Sequence, residues 1–120
     1  MVAALMSAGF ALGILSMPPA ELGAWQKAKG SAPTATLMDT DAKVARAYGA
    51  RTTPHMYIVD PAGKLVYAGG IDSIPSANPA DIKAATNYVN QALSEALAGK
   101  PISQAVTRAY GCSVKYGDAG

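Results

Sequence analysis

The chain of 120 residues has a single cysteine, Cys112, a single histidine, His55, and one residue each of tryptophan and phenylalanine. One thiol excludes an intrachain disulfide and a multi-cysteine zinc site within one chain, so sulfur chemistry is either intermolecular or confined to Cys112. Charge is scarce as well. Ten Lys and Arg stand against eight Asp and Glu, a net charge of +2; without a basic cluster to attract phosphates, nucleic acid is excluded as a partner. No phosphate-cradling Gly-rich loop, Gly-x-Ser-x-Gly elbow or His-Glu-x-x-His pair occurs, so the templates for nucleotide hydrolysis and the common hydrolases are absent. No cofactor motif and no metal-ligand motif of recognised spacing occurs, and neither a cofactor nor a metal is expected.

A long apolar run is also missing. The uncharged opening, Met1–Met17, falls short of the about 20 apolar residues that cross a bilayer, so no membrane span is expected even with Gly9 and Gly13 at small-residue spacing. It lacks the positive n-region of a secretory signal too. The expectation for Met1–Ser16 is a buried or partner-covered helix, in a cytoplasmic protein, with an exported form left open.

What is present favours one folded unit. Half of the residues are hydrophobic, and the length leaves room for one core. The expected organisation is an apolar segment 1–17, a domain 18–116 and a disordered tail 117–120. Pro19 and Glu21 suit the first turn of a helix, which Leu22, Trp25 and Ala28 carry to a Gly30 cap, with Trp25 as its packing anchor. Thr34–Met38 reads as a short strand. Thr40 can cap a helix over Asp41–Tyr48, closed by Gly49. Met56–Asp60 and Lys64–Ala68 flank Asp60-Pro61-Ala62-Gly63, where Pro and Gly supply the dihedral angles of a tight turn, so a β-hairpin is predicted. Asn78, Pro79 and Asp81 begin a long helix whose Ile82, Ala85, Val89, Leu93, Ala96 and Leu97 share one face up to Gly99. Ile102–Tyr116 has no clean period and reads as an extended tail laid over the domain.

This order places Thr-Pro before the first strand of the hairpin. Ala47–Gly69, AYGARTTPHMYIVDPAGKLVYAG, resembles the thioredoxin-like redoxin family, which is related to the peroxiredoxins and thiol-specific antioxidant proteins. The resemblance continues through Ile71-Asp72, Asn87-Tyr88-Val89 and Gly111-Cys112-Ser113-Val114-Lys115-Tyr116, and spans Pro18 to Tyr116. It implies a thioredoxin-like α/β fold, an incomplete mixed sheet with a β-hairpin flanked by helices, and a cis peptide bond at Thr53–Pro54. In the family the proline loop faces a helix N-terminus bearing a cysteine motif, where the helix field lowers the thiol pKa. Met1–Met17 has no cysteine and is too short for the family's first strand, active-site helix and second strand. The chain therefore reads as an N-terminally truncated member. A half-sheet with a bare edge would pair with another chain, so a homodimer or swapped assembly is expected, with Met1–Ser16 of each copy covering the other.

Pro54 and the backbone of Thr53 form the expected platform for an extended peptide or small-molecule substrate, with Arg51 as a further binding residue and Arg51 and Arg46 as anion contacts or merely solvated cations. His55 is the one side chain whose ordinary pKa lies near neutrality. It reads either as a proton carrier or as a structural residue. Cys112 reads as a reactive thiol, an intermolecular disulfide partner or an inert small hydrophobe. Cys112, His55 and Asp72 together have the chemistry of nucleophile, base and orienting acid; His55 and Cys112 with a methionine would suit copper through soft ligands. The functional expectation is a degenerate thioredoxin-like redox protein with a proline platform and one thiol. The alternatives are a non-catalytic binding or structural module, or a recruited hydrolase using His55.

Overall fold

In the computed structural model, which describes residues 2–6, 18–114 and 116, the Asp60 turn is built by its own side chain. Asp60 Oδ1 accepts from the Ala62 and Lys64 amides, both at 2.9 Å, and Gly63 takes φ 84°, a left-handed conformation that a Cβ would oppose. The turn joins strands β3 (His55–Val59) and β4 (Leu65–Gly69), within a residue of the predicted hairpin. β1 (Val2–Met6) pairs antiparallel with the other edge of β3, Val2 opposite Val59 and Met6 opposite His55. The sheet order is thus β1-β3-β4, with a separate two-strand ladder made by β2 (Thr52–Thr53) and β5 (Cys112–Ser113). Ala105–Thr107 runs along β4: Ala68 donates to the Ala105 carbonyl at 2.9 Å, and Thr107 to the Ala68 carbonyl at 3.2 Å.

β1 corrects the helix expected at the start of the chain. It also fills the β3 edge from within the same molecule, which removes the reason given for a swapped segment. The rest of the apolar opening and the tail 117–120 lie outside the described residues.

Two clusters form the core. Ile58 and Tyr67 of the hairpin are buried with Val89 and Ala92 of helix α3 (Tyr88–Leu97), edged by Met56, Leu93 and Ile102. Ala42, Ala45 and Ala50 make a smaller group against which Val114 and Tyr116 pack. Helices α1 (Pro19–Ala28), α2 (Lys43–Tyr48) and α3 (Tyr88–Leu97) differ in how they are held.

α1 has no buried residue, so Trp25, 36 % exposed, is not the anchor expected. α2 starts two residues late because Ala42 adopts φ 57°. Its orphan amides are met by Asp39 rather than Thr40: the carboxylate accepts from Val44 at 3.1 Å and Ala45 at 2.8 Å, the duty of an N-terminal cap. Thr34–Met38 forms no strand. Leu37 is 85 % exposed, and no strand among the described residues pairs with that segment.

The long helix predicted from Pro79 is divided. Pro79–Lys83 is a 3-10 helix, capped as expected by Asn78, and α3 begins anew at Tyr88, where the Asn87 side chain accepts from the Asn90 amide at 2.9 Å. The break has a long-range cause. Asp72 and Asn87 form a β-bridge, the Ser73 amide donates to the Thr86 carbonyl at 3.0 Å and the Tyr88 amide to the Ile71 carbonyl at 3.1 Å, so residues 86–88 spend their backbone groups on another segment. Ile82 is left 67 % exposed.

Candidate functional site

Pro54 has no N–H to give a ladder, so it divides β2 from β3. The Thr53–Pro54 peptide bond is cis. Two side chains tie the segment around it: Thr52 Oγ1 donates to the Pro54 carbonyl at 2.8 Å, and His55 Nδ1 accepts from the Arg51 amide at 3.2 Å.

The tail returns to this point. Thr53 is register partner of Cys112, and Thr52 of Ser113; the Val114 amide then donates to the Arg51 carbonyl at 3.0 Å. Gly111 makes the approach feasible. A Cβ there would collide with the Thr53 carbonyl oxygen and stand 3.3 Å from Pro54 Cδ, and its φ is 137°, so both space and backbone require glycine. The backbone edge at Thr53 expected to receive a substrate peptide is therefore paired with β5 of the same chain.

Cys112 is a free, exposed thiol. The residues either side of it are fixed by tyrosines. Tyr110 donates its hydroxyl proton to Asp72 Oδ1 at 2.5 Å; desolvation and then this carboxylate push the phenol up to about 12, so it stays a donor at physiological pH. The Tyr116 hydroxyl reaches the carbonyls of Ala45, at 3.1 Å, and Ala50.

His55 is 9 % exposed and stacks on Tyr57 with ring centroids 4.5 Å apart. Tyr57 in turn meets the edge of Tyr48 at 5.1 Å and donates to the Tyr48 carbonyl at 3.2 Å. Burial, and then the nearby Arg51 charge, push the His55 imidazole below its ordinary 6.5. It is therefore neutral at pH 7, and since Nδ1 accepts a hydrogen bond, the proton sits on Nε2.

The sequence-predicted residues fall into two groups. Arg51, Thr53, Pro54, His55 and Cys112 converge on the β2–β5 ladder and the turn beside it. Asp72 stands apart: its side chain accepts from Ile74 at 3.1 Å and from Tyr110, and no hydrogen bond joins it to His55 or Cys112 among the described residues. No group of three His, Cys, Asp or Glu among the described residues is placed to hold a metal ion. Nor is any helix among them long and apolar enough to cross a membrane. Sequence reasoning missed Gly111, Tyr110 and Tyr116, which position the thiol. Two tyrosines bracketing a Gly-Cys pair were the available signal.

Residues 4–68, more than half of the chain, match the model of the AhpC/TSA family, a span that holds the proline turn and ends before Cys112. A hypothetical protein from Sinorhizobium meliloti 1021 is 30% identical with a TM-score of 0.73; the match covers 94% of this chain and 60% of that one. An uncharacterized conserved protein from Geobacillus kaustophilus is 29% identical with a TM-score of 0.65, covering 86% of this chain and 53% of the other. The chain thus spans little more than half the length of either. No curated protein matches.

Proposed function

This chain belongs to the AhpC/TSA family and has its thioredoxin-like fold, and we propose that it is a redox protein, degenerate in its own chemistry, that works through the proline turn and the single thiol of Cys112. The observation that carries this reading is the register of Thr53 with Cys112. It seats the one exposed thiol of the described residues on the turn that the family match includes.

The reaction open to one thiol is exchange with a disulfide of another molecule. The Cys112 thiolate attacks one sulfur of that disulfide, a new Cys112–S–S bond forms as the old S–S bond breaks, and the other half leaves as a thiolate. A thiol from a further molecule then releases Cys112 by the same step in reverse. Because β5 already pairs the Thr53 edge, a small disulfide or one exposed on a partner's surface suits the site better than a peptide added as a strand. Arg51 is the candidate substrate contact, and His55 and Asp72 act as positioning residues. His55 holds the Arg51 amide, and Asp72 holds Tyr110 two residues before the thiol.

Exchange with oxidised glutathione, followed by mass spectrometry of the Cys112 adduct and by release of glutathione thiol, tests the reading. The wild-type chain is expected to form one adduct per molecule and to be restored by added dithiol. Cys112→Ser is expected to form none. An adduct rate no faster than that of the same thiol in the unfolded chain would instead favour the non-catalytic binding module.

A further inference from the structure

A groove of about 370 Å³ lies beside the β2–β5 ladder, lined by Arg46, Gly49, Ala50, Arg51 and Tyr116. We propose that it is an oxyanion site, which takes a carboxylate or phosphate group of a small molecule between the Arg46 and Arg51 guanidinium groups. The site stands whether or not Cys112 exchanges disulfides.

Charge is the first argument. Both arginines line one concavity and, among the described residues, no carboxylate lines it; the single ion pair among the described residues is Lys43–Asp41, at 3.2 Å. Two like charges facing a shared space repel, and an anion between them relieves that repulsion while gaining charge-assisted hydrogen bonds.

Preorganisation is the second. The Arg46 guanidinium lies 4.6 Å from the centre of the Tyr116 ring, and its Nη2 donates to the Tyr116 carbonyl at 2.5 Å. One fork nitrogen is thereby pinned. A guanidinium carries five N–H donors, so the others remain for a planar or tetrahedral oxyanion, and the stacked group loses little freedom on binding.

The end of α2 supplies the third. A helix C-terminus carries partial negative charge that would repel an anion. Here three of its last carbonyls are engaged: that of Ala45 accepts from the Ala50 amide at 2.9 Å with the Tyr116 hydroxyl 3.1 Å away, that of Arg46 accepts from the Gly49 amide at 3.0 Å, and that of Tyr48 from the Tyr57 hydroxyl at 3.2 Å. Their engagement weakens that repulsion, and the two arginines supply the positive field. The groove is shallow and open, so it admits the oxyanion while the rest of the small molecule stays in solvent.

The test is a titration of the isotope-labelled chain with inorganic phosphate and, separately, with succinate, at constant ionic strength with chloride as the balancing ion, followed by amide NMR. Saturable shifts at Gly49, Arg51 and Tyr116 are expected with at least one of the two. Saturation by phosphate alone assigns the group to a phosphate, by succinate alone to a carboxylate, and by both to either source; each supports the site. Arg51→Gln, an exposed side chain with no side-chain hydrogen bond among the described residues, is expected to weaken binding roughly tenfold, the worth of one charge-assisted bond. Arg46→Lys, which keeps the charge and loses the flat fork, is expected to weaken it as well, and Lys43→Gln on the same helix to leave it unchanged. Absence of saturation with both anions at millimolar concentration overturns the proposal, as does binding of equal strength in Arg51→Gln and Arg46→Lys.

Discussion

The thiol-bearing Cys112 faces Thr53 across an antiparallel ladder only two residues long, and what holds so short a ladder in place is the absence of a side chain next door, at Gly111. Gly111→Ala forces a Cβ into the Thr53 carbonyl and an L-residue into positive φ. The expected result is a loss of about 1–3 kcal/mol, with amide protection of Val114 lost while that of Thr107, bonded to β4, persists. Urea unfolding together with hydrogen exchange checks both parts.

Lowering the pH should destabilise the fold through His55. Its pKa is depressed in the native state, so between the native and unfolded values the unfolded chain binds more protons, and stability falls as pH drops below about 6.5. Above that pH the contribution is constant. His55→Asn, which keeps an acceptor for the Arg51 amide, is expected to flatten the slope between pH 7 and 5.5. Thermal melts of the two proteins across that window measure it; equal slopes would remove His55 from the account.

In the proposed function Asp72 serves through its bond to Tyr110, not through a substrate. Asp72→Ala and Tyr110→Phe each delete the 2.5 Å bond and should cost about 1 kcal/mol, less than a fully buried charged bond because the pair is only partly buried. Both should also speed amide exchange at Cys112. Asp72→Asn retains an acceptor and should restore most of both effects; a variant as loose as Asp72→Ala would mean that charge, not the bond, matters.

Association should be concentration-dependent. β1 is the outer strand of its sheet, and an apolar outer strand offers unpaired backbone to a second copy. Light scattering is expected to give a mass that rises with concentration; a constant monomer mass would exclude this contact.

These elements differ in how far the sequence discloses them. The Asp60–Gly63 turn and its hairpin were legible because the bonds of the turn lie within four residues and the two strands it joins are adjacent in sequence. The break before Tyr88 was not. Asn87 is as good a cap as Asn78, but only pairing with Asp72 and Ser73 shows which of the two interrupts the run. Val2–Met6 illustrates another limit, since a short run of Val, Ala, Leu and Met has no period that separates strand from helix. For the site, the resemblance pointed to the proline turn, while the seating of Cys112 beside Thr53 depends on a contact between distant parts of the chain that no local pattern encodes.

The stretch from Thr52 to Val59 receives residues 2–6 on one strand and residues 112–113 on the other. Early and late segments therefore meet at the middle of the polypeptide, and the arrangement cannot close during synthesis until position 113 has left the ribosome. Such distant closures slow folding, because the loop entropy is lost before the contacts form. A fusion partner attached near either segment would load the same seam, so tag placement should alter the yield of folded protein more than the tag's own solubility suggests.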